Sequence, residues 1–116
     1  MIYRKLIVYK IAKDIAIDIY KITERMPVKE RFGLISQMNR SAISVPSNIA
    51  EGSSRSSLKE QIRYIEIAYG SLMELSCQLE IALELDYIDK NQFDLIEEKI
   101  RDLTIRLSNF KKAKEK

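Results

Sequence analysis

Few side chains in this 116-residue sequence have the type and spacing that bond-making chemistry needs. There is no histidine, which removes the usual general base, the Ser-His-Asp arrangement and the Glu-x-x-His ligands of a di-iron bundle. Glu80 and Glu84 stand one helical turn apart, but two carboxylates at that spacing describe a solvated face. The run Gly52-Ser53-Ser54-Arg55 lacks the spaced glycines and the lysine of a phosphate-binding loop. Cys77 is the only cysteine. It has no internal disulfide partner and falls inside a helical pattern, as a small buried or interfacial hydrophobe does. The chain is therefore read as a non-enzyme, with no metal site and no cofactor.

The residues that stand out do so for structural reasons. From Gln37 to Arg55 the sequence reads QMNRSAISVPSNIAEGSSR, with Pro46 inside a helical pattern. Proline lacks the backbone N–H and its ring presses on the preceding turn, at a cost of about 3 kcal/mol. Yet apolar residues continue on both sides, from Phe32, Ile35, Met38 and Ala42 to Val45, Ile49 and Ala50. A kinked helix is expected, with Ser44, Ser47 or water meeting the freed carbonyl of Ala42. Arg40 and Asn48 lie about two turns apart on one face of this helix, and Glu74 and Gln78 form a one-turn pair further on. Together with Glu51 they are expected to form a buried or interfacial hydrogen-bonded network. Charges inside a bundle are costly unless paired, so such a network would fix register or subunit geometry more than it would add stability.

Four helices are needed to position these groups. The first is read over about Leu6 to Arg25, with Val8, Ile11, Ile15, Ile19 and Ile22 as its apolar stripe. Ile7 and Ile17 lie off that stripe and suggest a second contact face, until Met26-Pro27-Val28 breaks the helix. The second runs from near Lys29 to Glu51, with Gly52 suited to a left-handed helix-ending conformation. Ser57 and Glu60 read as a capping box opening the third helix, which extends to about Leu85 on the seam Leu58, Ile62, Ile65, Ala68, Leu72, Leu75, Leu79 and Ala82. Gly70 and Ser71, in its middle, fit either close approach of another helix or simple tolerance in a long helix, where glycine costs up to about 1 kcal/mol relative to alanine. Asp89 with Gln92 repeats the capping signal before Phe93, Ile96, Ile100, Leu103, Leu107 and Phe110. Short connections make successive helices antiparallel.

Composition agrees with one all-α domain over residues 1–116. Hydrophobic residues make up 46% and charged residues 32%, and three glycines and two prolines leave little turn chemistry for a sheet. No apolar run is long enough to span a bilayer, and MIYRKLIVYK does not read as a signal peptide, so a cytoplasmic, membrane-free protein is expected.

The net charge of +3 says little, but its distribution says more. In an up-down-up-down bundle the N-terminus, the Gly52–Arg55 hinge and the C-terminus share one end. That end gathers Arg4, Lys5, Arg55, Lys59, Arg63, Lys111, Lys112, Lys114 and Lys116 against Glu51, Glu60 and Glu115, an excess of six. From Glu74 to Glu98, in contrast, eight acids face the single base Lys90. Of the basic group, Arg4, Lys5, Arg55, Lys59, Arg63, Lys111 and Lys112 are the candidate nucleic-acid contacts. Tyr3, Tyr9 and Tyr64 lie near the same end, where tyrosines either stack on bases or pack at interfaces.

Three segments carry a family resemblance: FGLISQ from Phe32, NRSAISVPSNIAEG from Asn39 followed by Arg55, and IAYGSLMELSCQLEIALELDYI from Ile67. With them the chain resembles, over nearly its whole length, the small four-helix-bundle proteins encoded in intervening sequences of 23S ribosomal RNA genes, the S23 ribosomal protein-like family. The resemblance implies an antiparallel four-helix bundle assembling into a homopentameric ring, with no known catalytic activity. It also implies relatives among the accessory variability determinants of diversity-generating retroelements, basic pentamers that bind nucleic acid and a reverse transcriptase. Arg40, Pro46, Asn48, Glu51, Gly52, Gly70, Glu74 and Gln78 match the family pattern and are read as its structural and assembly motif. One departure is Asp86, where the family has a glycine before Tyr87-Ile88. Repeated around a ring, a local basic excess becomes a broad basic face. The expected function is that of an oligomeric nucleic-acid-binding protein contacting RNA or DNA backbone. The alternative is an interaction scaffold that docks a protein partner such as a reverse transcriptase.

Overall fold

The periodic segments become four helices in the computed structural model, which describes all residues from Met1 to Lys116. They are α1 (Ile7–Thr23), α2 (Leu34–Ser53), α3 (Leu58–Glu84) and α4 (Lys90–Glu115), with short 3₁₀ turns at Ile2–Lys5 and Val28–Glu30. No strand is present. Each helix packs on its neighbours in sequence and α1 closes on α4, while no Cα of either diagonal pair comes within 8 Å. The result is the expected antiparallel four-helix bundle, about 44 Å long and 24 by 21 Å across.

The stripes anticipated from spacing form the core. Ile15 and Ile19 of α1, Met38 and Val45 of α2, Leu72, Leu75 and Leu79 of α3, and Leu103 and Leu107 of α4 are the largest fully buried side chains. Each such burial is worth roughly 1.5–3 kcal/mol, and together they hold the four elements in register. Two residues assigned to seams lie outside. Leu58 is half exposed at the first position of α3, and Phe32 is 90% exposed. Phe32 precedes α2, which starts at Leu34 rather than near Lys29, because Val28–Glu30 tightens into a 3₁₀ turn.

That turn supplies the cap that α2 lacks in its own sequence. The backbone N–H of Leu34 donates to Glu30 Oε1 at 3.0 Å, and the Tyr87 hydroxyl donates to Glu30 Oε2 at 2.9 Å. One carboxylate thus satisfies a helix N-terminus and ties the α1–α2 connection to the end of α3. At α3 the Ser57 hydroxyl accepts from the N–H of Glu60 at 3.1 Å. The reciprocal half of that capping box is absent, because Glu60 lies 3.8 Å from Arg63 instead. The Asp89–Gln92 box is complete, with bonds of 2.8 and 2.9 Å.

Gly52 corrects an expectation. It is not a left-handed hinge, since no glycine has positive φ and α2 runs on to Ser53. Its role is space: a Cβ there would stand 2.7 Å from Tyr64 Cβ. The left-handed position is Asp86, at φ 61°. The N–H of Asp86 donates to Leu83 O and that of Tyr87 to Ala82 O, the paired bonds of a Schellman helix end.

Candidate nucleic-acid interface

The antiparallel fold brings the expected basic groups to one end of the bundle. The N-terminal turn, the end of α2, the start of α3 and the end of α4 meet around a hollow lined by Ile2, Leu6, Gly52, Gln61, Phe110 and Lys114. Gln61 braces this junction. Its amide donates to Arg55 O at 2.8 Å, and Lys114 Nζ donates to its Oε1 at 3.1 Å.

The seven candidate contacts divide into two kinds. Arg55 is committed within the chain: Nη2 lies 2.9 Å from Glu51 Oε2 and 3.1 Å from the Tyr64 hydroxyl, with the guanidinium 5.0 Å from the Tyr64 ring centre. Arg63 stands near Glu60, with its guanidinium 5.8 Å from the same ring centre. Lys111 lies 2.9 Å from Glu66 and 4.0 Å from Glu115, and the hydrogen bond to the Glu66 carboxylate holds its ammonium above the usual lysine range. Arg4, Lys5, Lys59 and Lys112 are exposed and form no ion pair. Arg4 rests over the Tyr3 ring at 5.6 Å. Lys114 and Lys116 are likewise free of acids.

Sequence spacing missed Glu66, whose i-to-j distance from Lys111 hides the pair until α3 and α4 pack. With it the end carries nine bases against four acids. The tyrosines are also less available than their positions suggested. Tyr3 and Tyr9 meet edge to face at 4.9 Å, and Tyr64 is flanked by two guanidinium groups.

The opposite end is less acidic than the α3–α4 segment alone indicated. The Tyr87–Glu30 bond sets the α1–α2 connection beside it, and that connection brings the exposed Arg25, Lys29 and Arg31 against Glu24 and Glu30. Asp89 is spent on capping α4, and Asp94 pairs with Lys90 at 2.8 Å.

The family-motif residues lie on α2 and α3, but they do not form one network, and only some of them face the seam between the two helices. The Ser41 hydroxyl donates to Glu74 at 3.0 Å, Ser44 and Ser71 share a hydrogen bond of 2.8 Å, and Asn48 donates to Ser44 O and Oγ. Ser44 is therefore engaged away from the carbonyl of Ala42, contrary to the role expected of it. Serines do the bridging across the seam, Glu74 is the one member of the expected set that takes part in it, and Asn48 bonds only within its own helix. Arg40 is exposed with no ion pair, and Glu51 turns to Arg55. Gln78 is 9% exposed and its Oε1 has no partner. Pro46 is buried, at the floor of a groove of about 740 Å³ between α1 and α2. Gly70 faces open space, with nothing within 4 Å of a Cβ placed there. No group of three or more Cys, Asp or Glu side chains is arranged to hold a metal, Cys77 is exposed, and no helix is long and apolar enough to cross a membrane.

Comparison with known proteins agrees with this architecture. The chain is similar to a crystal structure of a protein of unknown function from the S23 ribosomal protein family of Bacteroides thetaiotaomicron. The TM-score is 0.83 at 24% identity, covering 91% of this chain and 99% of that one. At that identity the likeness speaks to the fold. No curated protein matches. The model of the 23S rRNA-intervening sequence proteins matches residues 4–109, and with nearly the whole chain inside that match, the protein belongs to the 23S rRNA-intervening sequence protein family.

Proposed function

We propose that this protein is a non-catalytic, oligomeric nucleic-acid-binding protein of the cytoplasm, holding RNA or DNA through backbone phosphates at the basic end of the bundle. The observation that carries this reading is the cluster of cations at one end that no acid neutralises: Arg4, Lys5, Lys59, Lys112, Lys114 and Lys116. A free surface ammonium loses little when it moves onto a phosphate, whereas Arg55, Arg63 and Lys111 must first leave a carboxylate. Lysines and arginines on helix ends position a phosphate backbone without reading bases, so little sequence preference is expected.

The test is binding of fluorescent structured RNA and duplex DNA across a salt series. Two glutamine variants accompany the intact protein, one at Arg4, Lys5, Lys59 and Lys112, the other at Arg55, Arg63 and Lys111. Affinity should fall linearly in log salt, and the first variant should lose more of it and more of the slope. Absence of binding at low salt would overturn the reading. It would favour a scaffold that docks a protein partner, to which the apolar groove between α1 and α2, with Ile17, Tyr20 and Ile43 uncovered, gives specific support.

A further inference from the structure

The hollow at the basic end has an apolar interior and a cationic mouth. Ile49 and Ile65, both core residues, form its floor, and Ile2, Leu6 and Phe110 form its walls. The N-terminal turn borders it without filling it, since that turn buries no residue and Ile2 is 74% exposed. Concave apolar sites with a few polar groups at the rim are where small planar groups bind. Size narrows the occupant. The hollow holds about 240 Å³, below the range of about 300–1,000 Å³ that drug-sized ligands occupy. A partner helix needs a groove, not a hole at a bundle end. One flat ring system suits the space.

Charge and stacking name the ring. Lys114 Nζ stands 5.0 Å from the Phe110 ring centre and pairs with no acid, because Glu115 leans to Lys111 at 4.0 Å. Lys5 lines a neighbouring hollow that shares Leu6 and Phe110 with this one. Cations thus flank an apolar slot, the combination that holds single-stranded nucleic acid. The tyrosines of this end are already engaged: Tyr3 and Tyr9 meet each other, and Tyr64 carries two guanidinium groups. Phe110 is the aromatic ring left for a base. Polar groups at the rim are spent as well. The Gln61 amide donates to Arg55 O and accepts from Lys114, and Ser53 Oγ donates to Ala50 O at 2.8 Å.

We infer that this hollow receives one unpaired nucleobase, stacked on Phe110, while Lys114 and Lys5 hold the phosphates beside it. With its rim satisfied, the hollow offers stacking and apolar contact but no hydrogen-bond code, so it does not read which base enters. It does separate unpaired from paired. A base inside a duplex must be unpaired and unstacked first, a cost that a bulged base has largely avoided. Lys114 reaches a phosphate without leaving a carboxylate. The inference rests on the nucleic-acid reading proposed above and specifies what that end prefers.

The experiment compares three fluorescent RNAs: a perfect duplex, the same duplex with one adenosine bulged at its centre, and that bulge with its base removed. The intact protein should bind the adenosine bulge about tenfold more tightly than either control. The abasic bulge bends as freely, so it isolates the base. The advantage should persist as salt rises, because stacking releases no counterions. Two variants test the place: Ser53→Met extends an apolar chain at the rim, and Phe110→Leu removes the ring while keeping an apolar wall. Each should lose the preference for the bulged base, and neither alters a charge. Helicity by circular dichroism is checked for both, and if one unfolds the other decides. Failure to bind any of the RNAs at low salt would overturn the nucleic-acid reading and this inference with it. Equal binding of all three, or a preference that a folded variant keeps, would overturn only the hollow.

Discussion

Gly52 and Gly70 are the same residue type in helical conformation, yet the chain treats them oppositely. Replacing Gly52 by alanine puts a methyl 2.7 Å from Tyr64 Cβ. Both atoms are fixed to helix backbones, so α2 and α3 must separate. Overpacking of this kind costs about 1–3 kcal/mol, outweighing the gain of up to about 1 kcal/mol in helix propensity. Gly70→Ala meets nothing and should stabilise the isolated chain by about 1 kcal/mol. Urea unfolding of both variants under conditions where the protein is monomeric checks the opposite signs. Asp86 offers a third case. Its φ of 61° is tolerated by aspartate but relaxed in glycine. Asp86→Gly, which restores the residue the family resemblance leads one to expect, should stabilise the fold by about 1 kcal/mol. Pattern alone placed a glycine where α2 ends and assigned it to a turn. The reason for Gly52 is a neighbour on another helix, which spacing within one helix does not reveal.

At the scale of elements, what could be read in advance was what is local. The apolar stripes of all four helices and the Ser57 and Asp89 caps depend on residues within a turn of one another, and apart from Leu58, Phe32 and the Glu60 half of the first box they stand where their spacing placed them. The start of α2 was misplaced because its cap is not local. Glu30 reaches Leu34 from a separate turn and is held by Tyr87, 57 residues away. Likewise Glu66 meets Lys111, and Lys99 meets Asp14 and Asp18 at 2.8 and 2.6 Å, only once the helices pack. The Glu30 cap has a pH signature. Its bond from the Leu34 N–H, then that from Tyr87, holds the carboxyl below its ordinary 4.5. A depressed acid stabilises the fold above its unfolded value and loses that contribution as pH falls through the folded one. Tyr87, raised above 10.0 chiefly by its bond to Glu30, stabilises below its unfolded value and loses this as pH rises through the folded one. Thermal unfolding should therefore show the gap between the intact protein and Glu30→Gln narrowing below pH 4.5, whereas Tyr87→Phe should remove part of the alkaline decline. Parallel profiles for Glu30→Gln and the intact protein would count against the cap.

At the scale of the whole molecule, a modest charge acquires leverage only by repetition. One copy carries a net +3 and an uneven surface whose far end is tempered by Arg25, Lys29 and Arg31. A single basic end with a few free cations reaches a few phosphates, and each neutralised phosphate contributes about −0.9 to the slope of log affinity against log salt on duplex DNA. If copies assemble with their bundle axes parallel, every basic end lies on the same face and one long nucleic acid can touch several at once. The assembled protein should then show a slope several-fold steeper on long duplex DNA than a monomeric variant, changed away from the basic end so that every candidate phosphate contact stays in place. On a duplex too short to span neighbouring copies, the two slopes should converge, because only one basic end is then engaged. Measuring both proteins on both lengths separates assembly from charge. Equal slopes on long DNA, with the masses differing, would mean that each copy binds alone and that assembly serves some contact other than nucleic acid.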